Sequence, residues 1–543
     1  MNRLLAKYPR VQSFLENRGI STAEILIIVG FAMVPIFFNF PYRVNIFLSW
    51  EGAYRLYLGQ APYKDFGIPM GYGYWIIPAM FFKVFGPFLS SLIKAQVFIN
   101  IISGLSFRSI FKTLKVNEGI RLLSVLVFCL SYSFFNFWPW YNHTVIVYEL
   151  VALSFALMYI FSESKYRLAA LYLASLFSFL SVFTKQDGGG MAFMIVGILI
   201  LVDAIYQRKI KSVLFFALFF VVNGCLFILP FINHDFGYWF NFGQPPHNSR
   251  ISLDDFIQII MGESRWEKFY LLLVVLIIIR YLKDWKAFLK DKYLVMFTLV
   301  TLGILGEALI FQVTSYTPPD NNIFFHSFAF VFIISNISLN IDFAKFKYMV
   351  AGGLLIALWW SGVYWKYVDR IVKRVLPQTE QSDEEKISVR TYVKRKNPNN
   401  IGMDKWVFAK GMKAFAKIYM PEPTAKGIEK LMNMEVVKNK KDLKVLNMTE
   451  LTPLAYEMGY ELEPGLPLWY HVGVGMFEKE EELFKQRIRE GYYDIVLFEV
   501  IPYLNNFYPE SVREVLKEHY EMEDRFLAPR RPTDSHIEVY VKE

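Results

Sequence analysis

Eleven apolar runs constrain this chain more than anything else in it. They fall near residues 24–41, 88–111, 120–137, 144–162, 166–184, 188–206, 210–232, 269–282, 293–313, 323–340 and 347–365. Most are about as long as the roughly 20 residues a helix needs to cross the hydrocarbon core of a bilayer. Short basic loops separate them. The expected fold is therefore a polytopic α-helical membrane protein with about eleven transmembrane helices. A β-barrel does not fit, because its strands alternate and run only about 10 residues. Composition agrees: 54% of the 543 residues are hydrophobic, above the roughly 45–50% usual for soluble domains.

The net charge of +9 reads as loop charge, not as a nucleic-acid surface, and no nucleic-acid motif accompanies it. With the N-terminus inside, the inside loops carry Arg108, Lys112, Lys115 and Arg121; Lys165 and Arg167; Arg208, Lys209 and Lys211; Arg280, Lys283, Lys286, Lys290 and Lys292; and Lys345 and Lys347. The outside loops 138–143 and 314–322 have no Lys or Arg. That asymmetry is the positive-inside pattern. It predicts an uncleaved signal anchor, a multi-pass protein of the cytoplasmic (inner) membrane, a cytoplasmic N-terminus and an extracytoplasmic C-terminal segment. Cys129 and Cys225 lie within apolar runs and read as packing residues.

The expected domains are a membrane domain over 1–365 with a first outer loop at 42–87, a connecting region over 366–441, and a small α/β domain over 442–543. Strands are predicted at 442–448, 493–500 and 537–541, and helices at 452–459, 480–490 and 509–523. Strands alternating with helices carry the α/β expectation. The GVG at 473–475 is too short a signal for a phosphate loop.

Unusual polar residues gather in the outer loops. The first holds Glu51, Arg55, Lys64 and Asp65, with Tyr63, Tyr72, Tyr74 and Trp75. The second holds Asn142 and His143, and the third Lys185, Gln186 and Asp187. The fourth holds His234, Asp235, His247 and Arg250. The fifth holds Tyr316, Asp320, Asn321, Asn322 and His326. Ionisable groups beside the hydrocarbon are costly and tend to mark a working site. Their position at the outer ends of spans suits an enzyme acting on a lipid-borne substrate.

Glu51 is the candidate base. A helix over 51–58 capped by Ser49 places it in the first turn, where the dipole favours an ionised carboxylate. An ionised carboxylate can take a proton from a hydroxyl; the plainer alternative is a capping acid. Asp65 either assists or pairs with Lys64 or Arg55. Lys185 either binds a phosphate as a point charge or snorkels from the end of a span. The aromatic residues either stack on a sugar or form an interfacial belt. His143 and His326 fit structural hydrogen bonding better than ligation. Without an HxxxH or HExxH pair, no metal site is expected, and a divalent cation is left open.

The first loop reads Glu51-Gly52-Ala53-Tyr54, Gly59-Gln60-Ala61-Pro62-Tyr63-Lys64-Asp65-Phe66, Gly71-Tyr72-Gly73-Tyr74-Trp75 and Phe85-Gly86. With Thr184-Lys185-Gln186-Asp187-Gly188, this resembles the GT-C superfamily of membrane glycosyltransferases, in particular the protein-mannosyltransferase and aminoarabinose-transferase-like branch. The resemblance covers the layout of nearly the whole chain and about forty residues of motif. It implies inverting transfer of a sugar from a polyprenyl-phosphate donor to a glycan, lipid or protein acceptor at the outer face. Many members carry Asp-Glu where this chain has Trp50-Glu51, so Glu51, assisted by Asp65, inherits the implied acid's role. The donor-phosphate and substrate contacts are then Arg55, Lys64, Tyr63, Tyr74, Lys185, Gln186, Asp187, His143 and His326. Two rival readings stand beside it: a non-catalytic binder of lipid-linked glycan, and a transporter using Glu149 and Glu307 inside the spans.

Overall fold

The computed structural model describes residues 9–542, except 44–45, 68–69, 132–136, 235–252, 263–264, 316–323, 338, 376–400, 474, 503–506 and 532. Asp235, His247, Arg250, Tyr316, Asp320, Asn321, Asn322 and the middle residue of the GVG lie outside the described residues. Contacts divide the chain into two compact units. One comprises Met1–Phe37, Gln96–Pro230 and Asn248–Trp365. The other comprises Phe38–Ala95, Phe231–His247 and Lys366–Glu543.

The chain opens with α1 (Pro9–Met33), then α2 (Ile46–Tyr57) and α3 (Ile76–Phe85). The long apolar helices follow: α4 (Leu89–Thr113), α5 (Glu118–Ser131), α6 (Tyr141–Phe161), α7 (Arg167–Thr184), α8 (Gln186–Gln207) and α9 (Lys211–Ile228). After α10 (Leu253–Gly262) come α11 (Arg265–Leu282), α12 (Lys292–Ser315), α13 (Phe325–Asn336), α14 (Phe346–Trp359) and α15 (Ser361–Val375). Each of the eleven apolar runs is represented by a helix. Among the described residues seven stretches are long and apolar enough to cross a membrane: Gly19–Phe37, Leu89–Thr113, Tyr141–Phe161, Arg167–Thr184, Gln186–Gln207, Lys211–Phe231 and Lys292–Thr314. The protein is therefore a multi-pass membrane protein. The other runs fall short for visible reasons. α11 carries Arg265, Glu267, Lys268 and Arg280. α13 and α14 are short, and the run at 120–137 is described only as far as Ser131.

Only Lys185, in an extended conformation, separates α7 from α8. Gly189 permits so tight a reversal, because a Cβ there would fall 2.3 Å from the Ser181 carbonyl. The opposite ends of these helices are tied by charge. Asp203 bonds Lys292 and Gln207 and lies 3.6 Å from Arg167. Glu24, buried, receives Arg108 at 2.6 Å and Arg121 at 2.7 Å. Four of the basic residues assigned to inside loops are thus ion-paired within the helical unit. The two carboxylates offset part of the charge of the four cations, and the ion pairs hold helices together.

Among the described residues the second unit is built on three sheets. The largest has strand order β5-β7-β9-β8, from β5 (Val445–Met448), β7 (Ile495–Val500), β8 (Glu521–Leu527) and β9 (His536–Val541). β5 and β7 are parallel and the other pairings antiparallel. α17 (Glu478–Arg489) and α18 (Glu510–His519), which follow α16 (Glu422–Asn433), lay Phe484, Ile488, Val512 and Leu516 against Leu446, Val496 and Phe498. The expected helix over 509–523 overran: it stops at His519, and residues 521–527 form the edge strand β8.

The two smaller sheets bind the first loop to distant sequence within this unit. β1 (Phe40–Pro41) pairs in parallel with β4 (Ile418–Pro421), which also pairs with β3 (Trp406–Phe408). β2 (Phe66–Gly67) pairs in parallel with β6 (Leu466–Pro467). Residues 401–441 are thus partly strand, not only a helical connector.

Inside the loop, α2 packs on α3 through aromatic rings. The Trp75 indole donates to the Leu48 carbonyl at 2.8 Å. Gly52 sits beneath that indole, and a Cβ there would fall 2.0 Å from Trp75 Cε2. Gly52→Ala should therefore lower the stability of the purified chain by about 1–3 kcal/mol, the cost of overpacking. Thermal unfolding in detergent reads this directly, and an unchanged midpoint would mean that Trp75 moves aside without cost.

Candidate active site

The sequence-predicted site residues divide between the two units. Glu51, Arg55, Tyr63, Lys64, Asp65 and Tyr74 belong to the sheet-bearing unit, and His143, Lys185, Gln186, Asp187 and His326 to the helical one.

α2 begins at Ile46, which overturns the capping argument. Ser49 lies inside the helix, and Glu51 lies beyond the first turn, where the dipole has faded. Packing sets the carboxyl's environment instead. Glu51 is buried, and its Oε1 accepts from Arg55 Nε at 2.9 Å, an i,i+4 pair. Burial pushes the Glu51 carboxyl above the ordinary carboxylate range, and Arg55 offsets only part of that. Arg55 is buried too. Its Nη1 donates to Gln60 Oε1 at 2.9 Å and to the Glu463 carbonyl at 3.1 Å. Gln60 in turn donates to the Leu462 carbonyl at 2.7 Å. Arg55 is thus tethered to the protein, which argues against a phosphate contact.

Tyr460 and Tyr470, which local sequence did not single out, complete this neighbourhood. Burial raises both phenols, and the charges of Glu51 and Arg55 act on both. Tyr460 also accepts from Asn447 Nδ2 at 3.0 Å. It lines a cavity of about 400 Å³ together with Lys441, Lys444, Leu462, Glu463 and Tyr492. Lys444 Nζ stands 3.9 Å above the Tyr492 ring. The lining thus joins tyrosine rings and two lysines with the acidic residues Asp442, Glu461 and Glu463.

Asp65 folds back on its own turn. Its Oδ2 accepts from the Ala61 amide at 2.7 Å, and its carbonyl accepts from Gly465 N at 2.7 Å. Lys64 is exposed. Tyr63 adopts a positive φ of 65° and donates to the Met70 carbonyl at 2.9 Å. Its ring meets Tyr72 and Phe231. Tyr74 is fully buried against Trp75, so it is a packing residue and presents no face to a sugar. Trp50, at the position where the resembling family carries Asp, is fully buried as well. It donates to the Pro87 carbonyl at 2.9 Å and stacks on Tyr54.

In the helical unit, Lys185 Nζ lies 2.8 Å from Asp187 Oδ2, and Thr314 donates to the same oxygen. The Lys185 ammonium also lies 4.5 Å from the Phe311 ring centroid. Gln186 is exposed. His143 is buried in the first turn of α6. His326 is buried within Trp266, Tyr270 and Trp360, with Tyr270 Oη 3.1 Å from its Nδ1. That surrounding makes His326 a packing histidine. Among the described residues no cluster of three metal-ligating side chains occurs.

No family model and no curated protein matches the chain. Among solved structures it is similar to the ArnT of Cupriavidus metallidurans, a crystal structure bound to undecaprenyl phosphate. The identity is 11%, the match covers 96% of this chain and 98% of that one, and the TM-score is 0.46.

Proposed function

We propose that this protein is a membrane glycosyltransferase that moves a sugar from a polyprenyl-phosphate donor to an acceptor at the outer membrane face. The motif layout of the first loop supports the class. One observation supports the site: the buried Glu51–Arg55 pair adjoins Tyr460, which lines the 400 Å³ cavity. In this reading Glu51, once ionised, takes the acceptor proton, Asp65 holds the turn beside it, and lysines contact the leaving phosphate. The test is turnover by the purified chain of polyprenyl-phosphate sugars. Absence of turnover across a panel of such donors would overturn the assignment.

The direction of the Glu51 shift fixes a pH dependence. A base must be ionised, and burial keeps the Glu51 proton on to higher pH than usual. The rate should therefore fall with acidification through a limb lying above the ordinary carboxylate range. The stability sign is opposite. A carboxyl whose folded pKa is raised contributes stability below its unfolded pKa and loses it as pH rises through the folded one. A rate limb at or below the ordinary value would remove Glu51 from the role.

A second reading is a binder of lipid-linked glycan without turnover. Trp50 in the core and the engagement of Glu51 by Arg55 favour it. It predicts saturable binding of the donor with no release of polyprenyl phosphate.

A further inference from the structure

The ends of α4, α6, α7, α8 and α12 meet around one buried carboxylate in the helical unit. Asp203, near the end of α8, has a side chain only 1% exposed. It accepts from Gln207 and from Lys292 at the start of α12, and Arg167 at the start of α7 lies 3.6 Å away. Lys292 also donates to the Ile160 carbonyl on α6 at 3.3 Å and stands 5.2 Å from the Phe161 ring centroid. Phe161 stacks on Tyr293 with centroids 4.1 Å apart, and Lys115, just past the end of α4, lies 4.1 Å over that tyrosine. Lys115, Arg167 and Lys292 thus share one continuous chain of contacts with a single carboxylate, three positive charges against one negative.

The cations are positioned but not saturated. Arg167 Nε donates to the Tyr159 carbonyl at 2.7 Å, and the guanidinium lies 4.4 Å over the Tyr159 ring. Among the described residues neither of its Nη groups makes a hydrogen bond, since 3.6 Å to Asp203 is too long for one. The Lys115 ammonium there meets only the face of Tyr293. Arg167 is 33% exposed and Lys292 25%, so both heads reach the surface. A guanidinium has five N–H donors and an ammonium three, so donors remain for an anion with several oxygens.

The surroundings say which anion. All five helices belong to stretches long and apolar enough to cross a membrane, so their common end lies at the level of the lipid headgroups. On α8, Met194, Ile198, Leu201 and Ile205 recur at helical spacing on one face and are 43% to 67% exposed. That apolar stripe runs up to the turn that holds Asp203. A phosphate joined to an acyl chain matches both features, and a soluble anion matches only the first. Basic pockets between helix ends are known seats of acidic headgroups. The general excess of Lys and Arg in loops accounts for the sign of the charge, but not for its gathering from three separate segments around one carboxylate.

We propose that Lys115, Arg167 and Lys292 form a binding site for the phosphate of an anionic phospholipid, whose acyl chain lies along the exposed stripe of α8. None of these residues belongs to the proposed transfer site, and the lipid site stands whether or not the chain transfers sugar.

Native mass spectrometry of the full-length protein in a non-ionic detergent tests it. With phosphatidylglycerol and phosphatidylcholine added in equal amounts, the wild type should retain phosphatidylglycerol at least about tenfold better, and Lys115→Gln should cut that preference about fivefold. The double variant Lys115→Gln/Arg167→Gln should abolish it. The Lys115 ammonium makes no hydrogen bond among the described residues, so the single variant should keep its thermal midpoint and report binding alone. Lys209→Gln/Lys286→Gln removes two exposed cations from neighbouring segments and should leave the preference unchanged. Equal retention of the two lipids by the wild type would overturn the site. So would an equal loss in the Lys209/Lys286 variant, which would show diffuse charge. Displacement of the lipid by inorganic phosphate at constant ionic strength would also overturn it, by showing a site for the free anion.

Discussion

Glu51→Gln should lower sugar transfer by about 10²–10⁴-fold, the usual contribution of a positioned general base. Glutamine keeps an oxygen for Arg55 Nε but cannot take a proton. The difficulty is that Glu51 also neutralises a buried guanidinium. Removing one partner of a buried pair costs about 3–5 kcal/mol, so unfolding alone would also lower activity. The double variant Glu51→Gln/Arg55→Gln separates the two effects. With both charges gone, no uncompensated ion remains, and replacing a whole buried pair is often close to neutral. Stability should recover, as read by thermal unfolding, while transfer stays lost. An active double variant would show that Glu51 holds the loop and does no chemistry.

Arg530→Met should destabilise the protein by about 3–5 kcal/mol. Arg530 donates to Glu499 at 2.9 Å and to Glu450 at 2.8 Å, and all three side chains are buried. The pair of carboxylates holds the guanidinium firmly protonated despite its burial. The triad sits where β5 and β7 end, and Tyr42 of the first loop donates to the Glu450 carbonyl. Removing the cation leaves two buried carboxylates facing each other. The loss should therefore shrink in acid, as those carboxyls protonate. Replacing all three residues by apolar ones of similar volume should recover most of the stability. Denaturant titrations of the single and triple variants check both statements; equal losses in the two would mean that packing, not charge, is responsible.

The helices were legible because a membrane span is written locally, as an unbroken apolar run closed by charge. β5, β7 and β9 were legible for the same reason. β8 was not: its EMEDRFL is highly charged, and as an edge strand it exposes most of its side chains, so the apolar signal that marks a strand is missing. β1 and β2 were invisible in principle. Two residues pair with partners about 400 positions away, and nothing local marks that. The site followed the same division. The i,i+4 spacing of Glu51 and Arg55 is a local signal that they would pair, although the sequence alone pointed Arg55 at a phosphate. Tyr460 and Tyr470 come to Glu51 only through the fold. The start of α2 was placed five residues late because Ser49 is a good cap, whereas the helix begins at Ile46.

The long reach of those small sheets has a consequence for how the protein is made. Tyr42 and Arg55 each bond a partner 408 residues further on. At typical synthesis rates of 5–20 residues per second, the first loop leaves the ribosome about 20–80 s before its partners exist. During that interval Phe40 and Phe66, both buried in the finished protein, lack the C-terminal strands they pair with. A ribosome stalled after the last membrane helix would leave a chain whose spans can insert but whose first loop stays open to proteases. Pulse-labelled chains should show that loop becoming resistant only after synthesis of the C-terminal segment is complete.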